Sequence, residues 1–273
     1  MVFAVPIYDD NPVRQAPVVT YALMGACVGA WLWQLTVGDQ LTAFHYGMIP
    51  AALFGYWPPG VQPIPPWATL FTSMFLHGGW MHLISNMLFL WIFGNNIEDL
   101  LGKFRYLLLY LASGVAAALI QGLSAASSQI PMVGASGAVA GVLGAYLITY
   151  PRANVHVLVW VVIFFWIVTV PAWLLLGFWF AMQLLSGLGS TASEPGVAFW
   201  AHIGGFVAGG GLFLMLRPSG VEVLQPRHSA TWASIPPGAM PRAMPRAMLG
   251  RRRLHSGSVP DSRQRTQPYR PWD

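Results

Sequence analysis

The chain has 273 residues, of which 55% are hydrophobic and only 8% charged, with a mean hydropathy of +0.55. Soluble domains carry about 25% charged residues, so composition excludes an ordinary soluble domain and points to a polytopic membrane protein. The net charge of +5 is unevenly spread, since ten of the fourteen basic residues lie after Leu216, and the single cysteine, Cys27, leaves no internal disulfide.

Residues 1–17 are polar, with Asp9, Asp10, Arg14 and three prolines, and show no basic segment before a short apolar core of the kind a cleaved signal peptide has. Six apolar runs follow, at about 18–37, 81–100, 104–124, 136–150, 157–180 and 196–216, and each is expected to be a membrane-spanning helix. The first two are joined by a long loop, 38–80, rich in aromatic residues and proline and free of Lys and Arg. Such a loop is expected to lie partly embedded beside the bundle. From Arg217 the chain turns Pro-, Arg- and Ser-rich, with a local MPRAMPRAM repeat, and is expected to be a disordered basic tail.

Lys and Arg placement sets the expected orientation. Arg14, Lys103, Arg105, Arg152 and the tail arginines fall on alternate connections, while the other connections hold only Asp39 and Glu194 as charges. Both termini are therefore expected to be cytoplasmic, with loops 38–80, 125–135 and 181–195 facing outward.

The fourth run is short and opens on MVGASGAVAG. About fifteen helical residues rise roughly 22 Å, against a hydrocarbon core of about 30 Å. A helix that reaches the cytoplasmic face near Pro151 therefore starts below the outer surface, which places Ser136 on the floor of a wet pocket. Gly134 and Gly137 permit a sharp turn and close backbone approach there. A hydroxyl at a helix N-terminus is an ordinary cap or a nucleophile whose oxyanion is held by its own backbone N–H. The sixth run contains AHIGGFVAG. Its His202, Gly205 and Gly209 form a small-residue stripe, as do Ser136, Ala140 and Gly144, and packing the two stripes brings Ser136 to His202. A histidine in a membrane span is costly and usually functional. In the second run, HGGWMHLISN places His82 and Asn86 at i and i+4 on one helical face, where both are candidate oxyanion donors.

Taken together, GASG around Ser136, HGGWMHLISN around His82 and Asn86, and AHIGGFVAG around His202 resemble the three signatures of the rhomboid intramembrane serine proteases, in order and on the second, fourth and sixth spans. The resemblance covers about residues 18–216 and is closest to bacterial members, as FLHGGWMHLISNMLFLWIFGNNIED shows. It implies an all-α polytopic membrane protein, a six-transmembrane-helix bundle with a partly embedded first outer loop. It further implies an endopeptidase with Ser136 as nucleophile and His202 as general base, and an oxyanion hole of His82, Asn86 and the Ser136 N–H. No acid is placed to complete a triad, so a Ser–His dyad is expected. The implied partners are single-span membrane substrates and the lipid bilayer, with no nucleic acid, in a bacterial plasma membrane. The chain departs from the family where an aromatic residue often follows the nucleophile by four positions, here Ala140, and where a Trp-Arg pair reads Trp67-Ala68. The bulky fifth run, broken by Pro171, corresponds to the region the family uses as a lateral gate. Glu98 reads as a structural helix-end residue.

Three other readings are weaker. Non-proteolytic relatives that bind membrane clients typically lack the serine or the histidine. A transporter fits the half-length fourth span, but no Asp or Glu lies mid-membrane and no inverted repeat is visible. A metalloprotease needs a ligand pair such as HExxH, which is absent, and His77 and His82 are five apart and splay on a helix. No metal or cofactor is expected.

Overall fold

The computed structural model describes residues 2–55, 62–189 and 198–226. In chain order the elements are β1 (Val2–Asp9), α1 (Val18–Val37), α2 (Asp39–Tyr46), α3 (Pro50–Leu53), α4 (Pro66–Thr72), α5 (Trp80–Leu101), α6 (Lys103–Ser124), α7 (Ser136–Thr149), β2 (Asn154–Val161), β3 (Phe164–Pro171), α8 (Ala172–Gly189) and α9 (Phe199–Leu216). Among the described residues four helices, α1, α6, α8 and α9, are long and apolar enough to cross a membrane. With the 22 residues of α5 and the shorter α7 they form the polytopic helical bundle expected from the apolar runs. Five of the six expected spans match their helices to within a few residues.

The middle of the bundle is α7. Ten consecutive residues, Gly137–Tyr146, are buried, so this helix touches protein on all sides, as a helix apolar all round should. It lies against α9 along glycines. A Cβ on Gly205 would run into the backbone carbonyl of Gly137, one on Gly209 into the backbone of Gly141, and one on Gly144 into the carbonyl of Phe206. Direct backbone contact of this kind is what small residues permit between membrane helices. The row on α7 is thus Gly137, Gly141 and Gly144; it shares Gly144 with the expected row but runs through the residues after Ser136 and Ala140, which leaves Ser136 free of the contact line.

Glu98 ties α5 to α1. Its buried carboxylate accepts from the backbone N–H groups of Val19 (2.9 Å) and Thr20 (2.8 Å) and from the Thr20 hydroxyl (2.8 Å). The charge sits at the N-terminus of α1, where orphan N–H groups and the helix dipole favour it. The structural role expected for Glu98 is therefore the capping of a neighbouring helix. The loop after α1 packs beside the bundle, with Met48 and Leu70 buried against Ala118 of α6.

The fifth expected span differs. Residues 154–171 form the antiparallel hairpin β2–β3, and the helix begins only at Ala172. The run from Val155 to Val170 is dense in β-branched and aromatic residues, which favour a pleated strand over a helix. Apolarity alone does not separate the two. The polar N-terminal segment also contributes a strand, since β1 pairs antiparallel with β2 to complete a sheet of order β1-β2-β3. The bundle remains all-α, and the sheet lies at the end of α7 away from Ser136.

Asp9, closing β1, docks the sheet on the bundle. Its carboxylate accepts from Asn96 Nδ2 of α5 (2.9 Å) and from the Tyr146 hydroxyl of α7. Burial outweighs these bonds and pushes the Asp9 carboxyl up to about 6. The expected disordered tail is described only to Pro226. Up to there it is docked on the end of α7, with Leu224 and Gln225 N–H groups donating to the carbonyls of Ile148 and Thr149 (2.8 Å each). Residues 227–273 of that tail, 56–61 of the expected 38–80 loop, 190–195 of the expected 181–195 loop and 196–197 of the sixth expected run lie outside the described residues.

Candidate active site

Ser136 is the first residue of α7, and the chain that delivers it is tightly specified. Met48 and Met132 exchange backbone hydrogen bonds (3.0 and 2.8 Å), and the Gly134 N–H donates to the Ser73 carbonyl (2.9 Å). Gly134 has φ +134, a conformation natural only to glycine. A Cβ there would also stand 2.7 Å from the His82 ring and 3.5 Å from Ser136 Oγ. Gly134 is thus the gap through which the serine and His82 come together.

Ser136 Oγ lies 2.8 Å from His202 Nε2 on α9. The glycine seam explains the approach, because backbone contact between α7 and α9 draws the two side chains to hydrogen-bond distance. His202 Nδ1 lies 2.7 Å from Gln183 Oε1 on α8. One turn earlier on α8, the Trp179 ring lies 5.8 Å from the imidazole, centroid to centroid, at 37°.

His82 and Asn86 share the face of α5 that lines the same cavity, about 540 Å³, as Ser136 and His202. The Gly78 N–H donates to His82 Nδ1 (3.3 Å). That bond makes Nδ1 the acceptor and leaves the His82 proton on Nε2, the edge beside Gly134. Asn86 is 5% exposed, and its buried Nδ2 has no hydrogen-bond partner among the described residues. A buried N–H donor left unbonded is costly, so its presence at a cavity wall marks a place prepared for an acceptor. Ser136 N–H, at the first position of a helix, has no carbonyl within the helix to bond. His77, behind His82 with ring centroids 5.3 Å apart, is held neutral: burial, then the neighbouring His82, lowers it to about 4.

The structure brings the sequence-predicted residues together as follows. Ser136, His202, His82, Asn86, Gly134 and Gly137 all line the one cavity, and Gly205 and Gly209 form the seam beneath it. Gln183 and Trp179 were not singled out in the sequence. The available signal was a lone side-chain amide in an otherwise apolar, uncharged helix, AWLLLGFWFAMQLLSGLG. Among the described residues no cluster of three or more His, Cys, Asp or Glu side chains is placed to hold a metal ion.

Comparison with known proteins places this arrangement. The chain is 43% identical over 81 residues to "Rhomboid protease GluP" of Bacillus subtilis, covering 30% of this chain and 15% of that protein. It is 38% identical over 151 residues to "RHOMBOID-like protein 4" of Arabidopsis thaliana, covering 55% and 34%. It is 35% identical over 169 residues to "RHOMBOID-like protein 6, mitochondrial" of the same plant, covering 61% and 50%. The chain thus spans half or less of the length of these curated relatives. Residues 65–219, more than half of the chain and the stretch that carries all four cavity side chains, match the family model described as Rhomboid domain. A chain with that match and that bundle belongs to the rhomboid family.

Proposed function

We propose that the chain is an intramembrane serine endopeptidase working through a Ser136–His202 dyad. The observation that carries this reading is the 2.8 Å approach of Ser136 Oγ to His202 Nε2 at the wall of a cavity that also holds an unpartnered amide donor. The His202 Nε2 lone pair takes the hydroxyl proton as Ser136 Oγ adds to a peptide carbonyl. The resulting oxyanion accepts hydrogen bonds from the Ser136 N–H, from Asn86 Nδ2 and from His82 Nε2–H. His202 then gives the proton to the departing amine. A water deprotonated by the same nitrogen hydrolyses the acyl ester and returns the serine.

The substrates are single-span membrane proteins. The 14 residues of α7 rise roughly 21 Å, short of a hydrocarbon core of about 30 Å, which sets Ser136 below the membrane surface. Lys and Arg placement supports a cytoplasmic side for the sheet and both termini and an outer-half position for the site, and the bacterial-type stretch FLHGGWMHLISNMLFLWIFGNNIED supports a bacterial plasma membrane. We assign the helical domain to 18–216, with 1–17 and the basic 217–273 as cytoplasmic appendages. A helical substrate must unwind locally to expose a peptide bond, so cleavage falls near the outer boundary, at small residues followed by helix breakers.

The test is a panel of single-span substrates in proteoliposomes with wild-type protein and Ser136→Ala, the fragments being mapped by mass spectrometry. Cleavage by wild type alone, near the outer boundary, is expected. A client-binding protein would instead retain the substrates uncut in both. Cuts at the cytoplasmic end would overturn the orientation.

A further inference from the structure

We propose that Gln183 is the positioning residue of the base: its amide oxygen holds the proton of His202 on Nδ1 and so keeps Nε2 free to accept from Ser136. This rests on the dyad reading above but concerns a residue on a different helix.

The argument begins with the imidazole. A neutral histidine has one N–H and one bare nitrogen. Nε2 takes a proton from Ser136 only when it is the bare one, and Nδ1 must then carry the hydrogen and have something to donate to. Gln183 Oε1, 2.7 Å away, is that acceptor. A carboxylate would serve, but Glu98 and Asp99 end α5 at the far side of the bundle, where Glu98 caps α1 and Asp99 meets the Gln15 N–H. Among the described residues the acceptor at Nδ1 is thus an amide, and it is neutral. Were the amide reversed, its NH₂ would donate to Nδ1. His202 would then carry its proton on Nε2, pointed at the serine, and would be unable to act as a base.

Three further observations fit a positioning role. Gln183 is the only amide in α8, which has no charged residue, and a polar side chain in a membrane span is retained where it has a partner. Trp179, one turn away on the same face, lays its ring against the imidazole, so α8 fixes both the plane and the hydrogen bond of His202. On the α7 side the residue one turn below Ser136 is Ala140, which is buried and has no ring to offer.

The test reads the proton directly. The full chain is labelled with ¹⁵N-histidine and reconstituted in lipid. The His202 signal is assigned by its loss in His202→Asn, and the protonated nitrogen is identified by NMR near pH 7.5. Wild type should show Nδ1–H. Gln183→Leu, near in size and better suited to lipid, should move His202 toward Nε2–H and lower kcat by roughly 10- to 100-fold with little change in KM, the scale of one hydrogen bond to a reacting group. Gln183→Glu keeps an acceptor and should retain Nδ1–H and most of the activity. A merely structural Gln183 would be served at least as well by Leu as by Glu. Nε2–H in wild type overturns the proposal, as does a Gln183→Leu variant with an unchanged tautomer and turnover within about twofold of wild type. The NMR reading also stands when no substrate is cut, so failure of the protease reading and failure of this one are separable.

Discussion

Helix α9 meets two neighbours in opposite ways. Against α7 it makes backbone contact through glycines, and α7 is buried for ten residues running. Against α8 it meets a helix that buries only Ala172, Leu176 and Gly187 and exposes Trp173, Phe178 and Leu185 by more than half. Both neighbours send one side chain to His202: Ser136 from the close-packed side, Gln183 from the loose one. The difference teaches that Ser136, the proposed nucleophile, is set by packing that cannot shift without steric collision. The back of His202, the proposed base, is instead held by a helix with little to anchor it; of the fifth run, 157–180, where a lateral gate was expected, only 172–180 falls on that helix and the rest is the hairpin.

The largest effect expected is on the rigid side. Ser136→Ala or His202→Ala should lower turnover roughly a millionfold or below detection, and the double variant should lose little more, because the two act as one unit. Near-normal cleavage by His202→Ala would break the dyad. Next come the donors of α5. Asn86→Ala and His82→Ala should each slow turnover by roughly tenfold to a thousandfold, the usual range for one oxyanion donor. Unchanged kcat in both would make these side chains structural.

The loose side is probed by tying it down. A Cβ on Gly187 would lie 3.4 Å from that of Phe199, close to disulfide geometry. The pair Gly187→Cys, Phe199→Cys should, when oxidised, suppress cleavage of membrane substrates while leaving labelling of Ser136 by a small electrophile intact. Reduction should restore cleavage. Equal cleavage in both redox states would show that α8 need not move. Stability sharpens the same contrast. Gly209→Ala drives a methyl into the Gly141 backbone and should cost about 1–3 kcal/mol. Gly177→Ala on α8 meets nothing within 4 Å and should gain about 1 kcal/mol from helix propensity. Thermal unfolding in detergent measures both, and similar shifts would erase the distinction.

The effect furthest from the site lies at the sheet. Asp9 keeps its proton to about 6 in the folded chain against 3.8 for an ordinary aspartate. Between those values the folded form holds a proton that the unfolded form has lost. The docking of β1 should therefore be strongest below that window and weaken as pH rises through it, by on the order of 1.4 kcal/mol per unit. Amide exchange in β1, corrected for intrinsic rate, should show greater protection at pH 5 than at pH 7.5, and Asp9→Asn should abolish the difference. Protection rising with pH would reverse the sign.

The spans and the cavity residues were legible because a polar side chain in an apolar run is costly, so Ser136, His202, His82 and Asn86 stand out against their surroundings. The glycines beside them signalled close approach, although the contact row runs through Gly137 and Gly141, the residues after Ser136 and Ala140, because the serine faces the cavity. The hairpin was not legible. Its strands are as apolar as a span, and its turn lacks the Asn-Gly or Asp-Gly pair that usually announces one; Val162 itself adopts φ 56. Gln183 was hidden for a different reason. A single amide has no spacing to read, and its partner lies 19 residues along the chain on another helix.

The pairing of β1 with β2 has a consequence for the order in which the molecule is built. Strand β1 leaves the ribosome before its partner β2, from which it is separated by the seven described helices α1 to α7, and contacts so distant in sequence form late. Until β2 is made, the apolar VFAVPI segment has no strand to pair with, although Asn96 and Tyr146, the partners of Asp9, come earlier in the chain. Closure of this strand therefore registers that α5 and α7 have already assembled. It joins β1 to the hairpin that runs straight into α8, and it leaves β3 as the outer edge of the finished sheet.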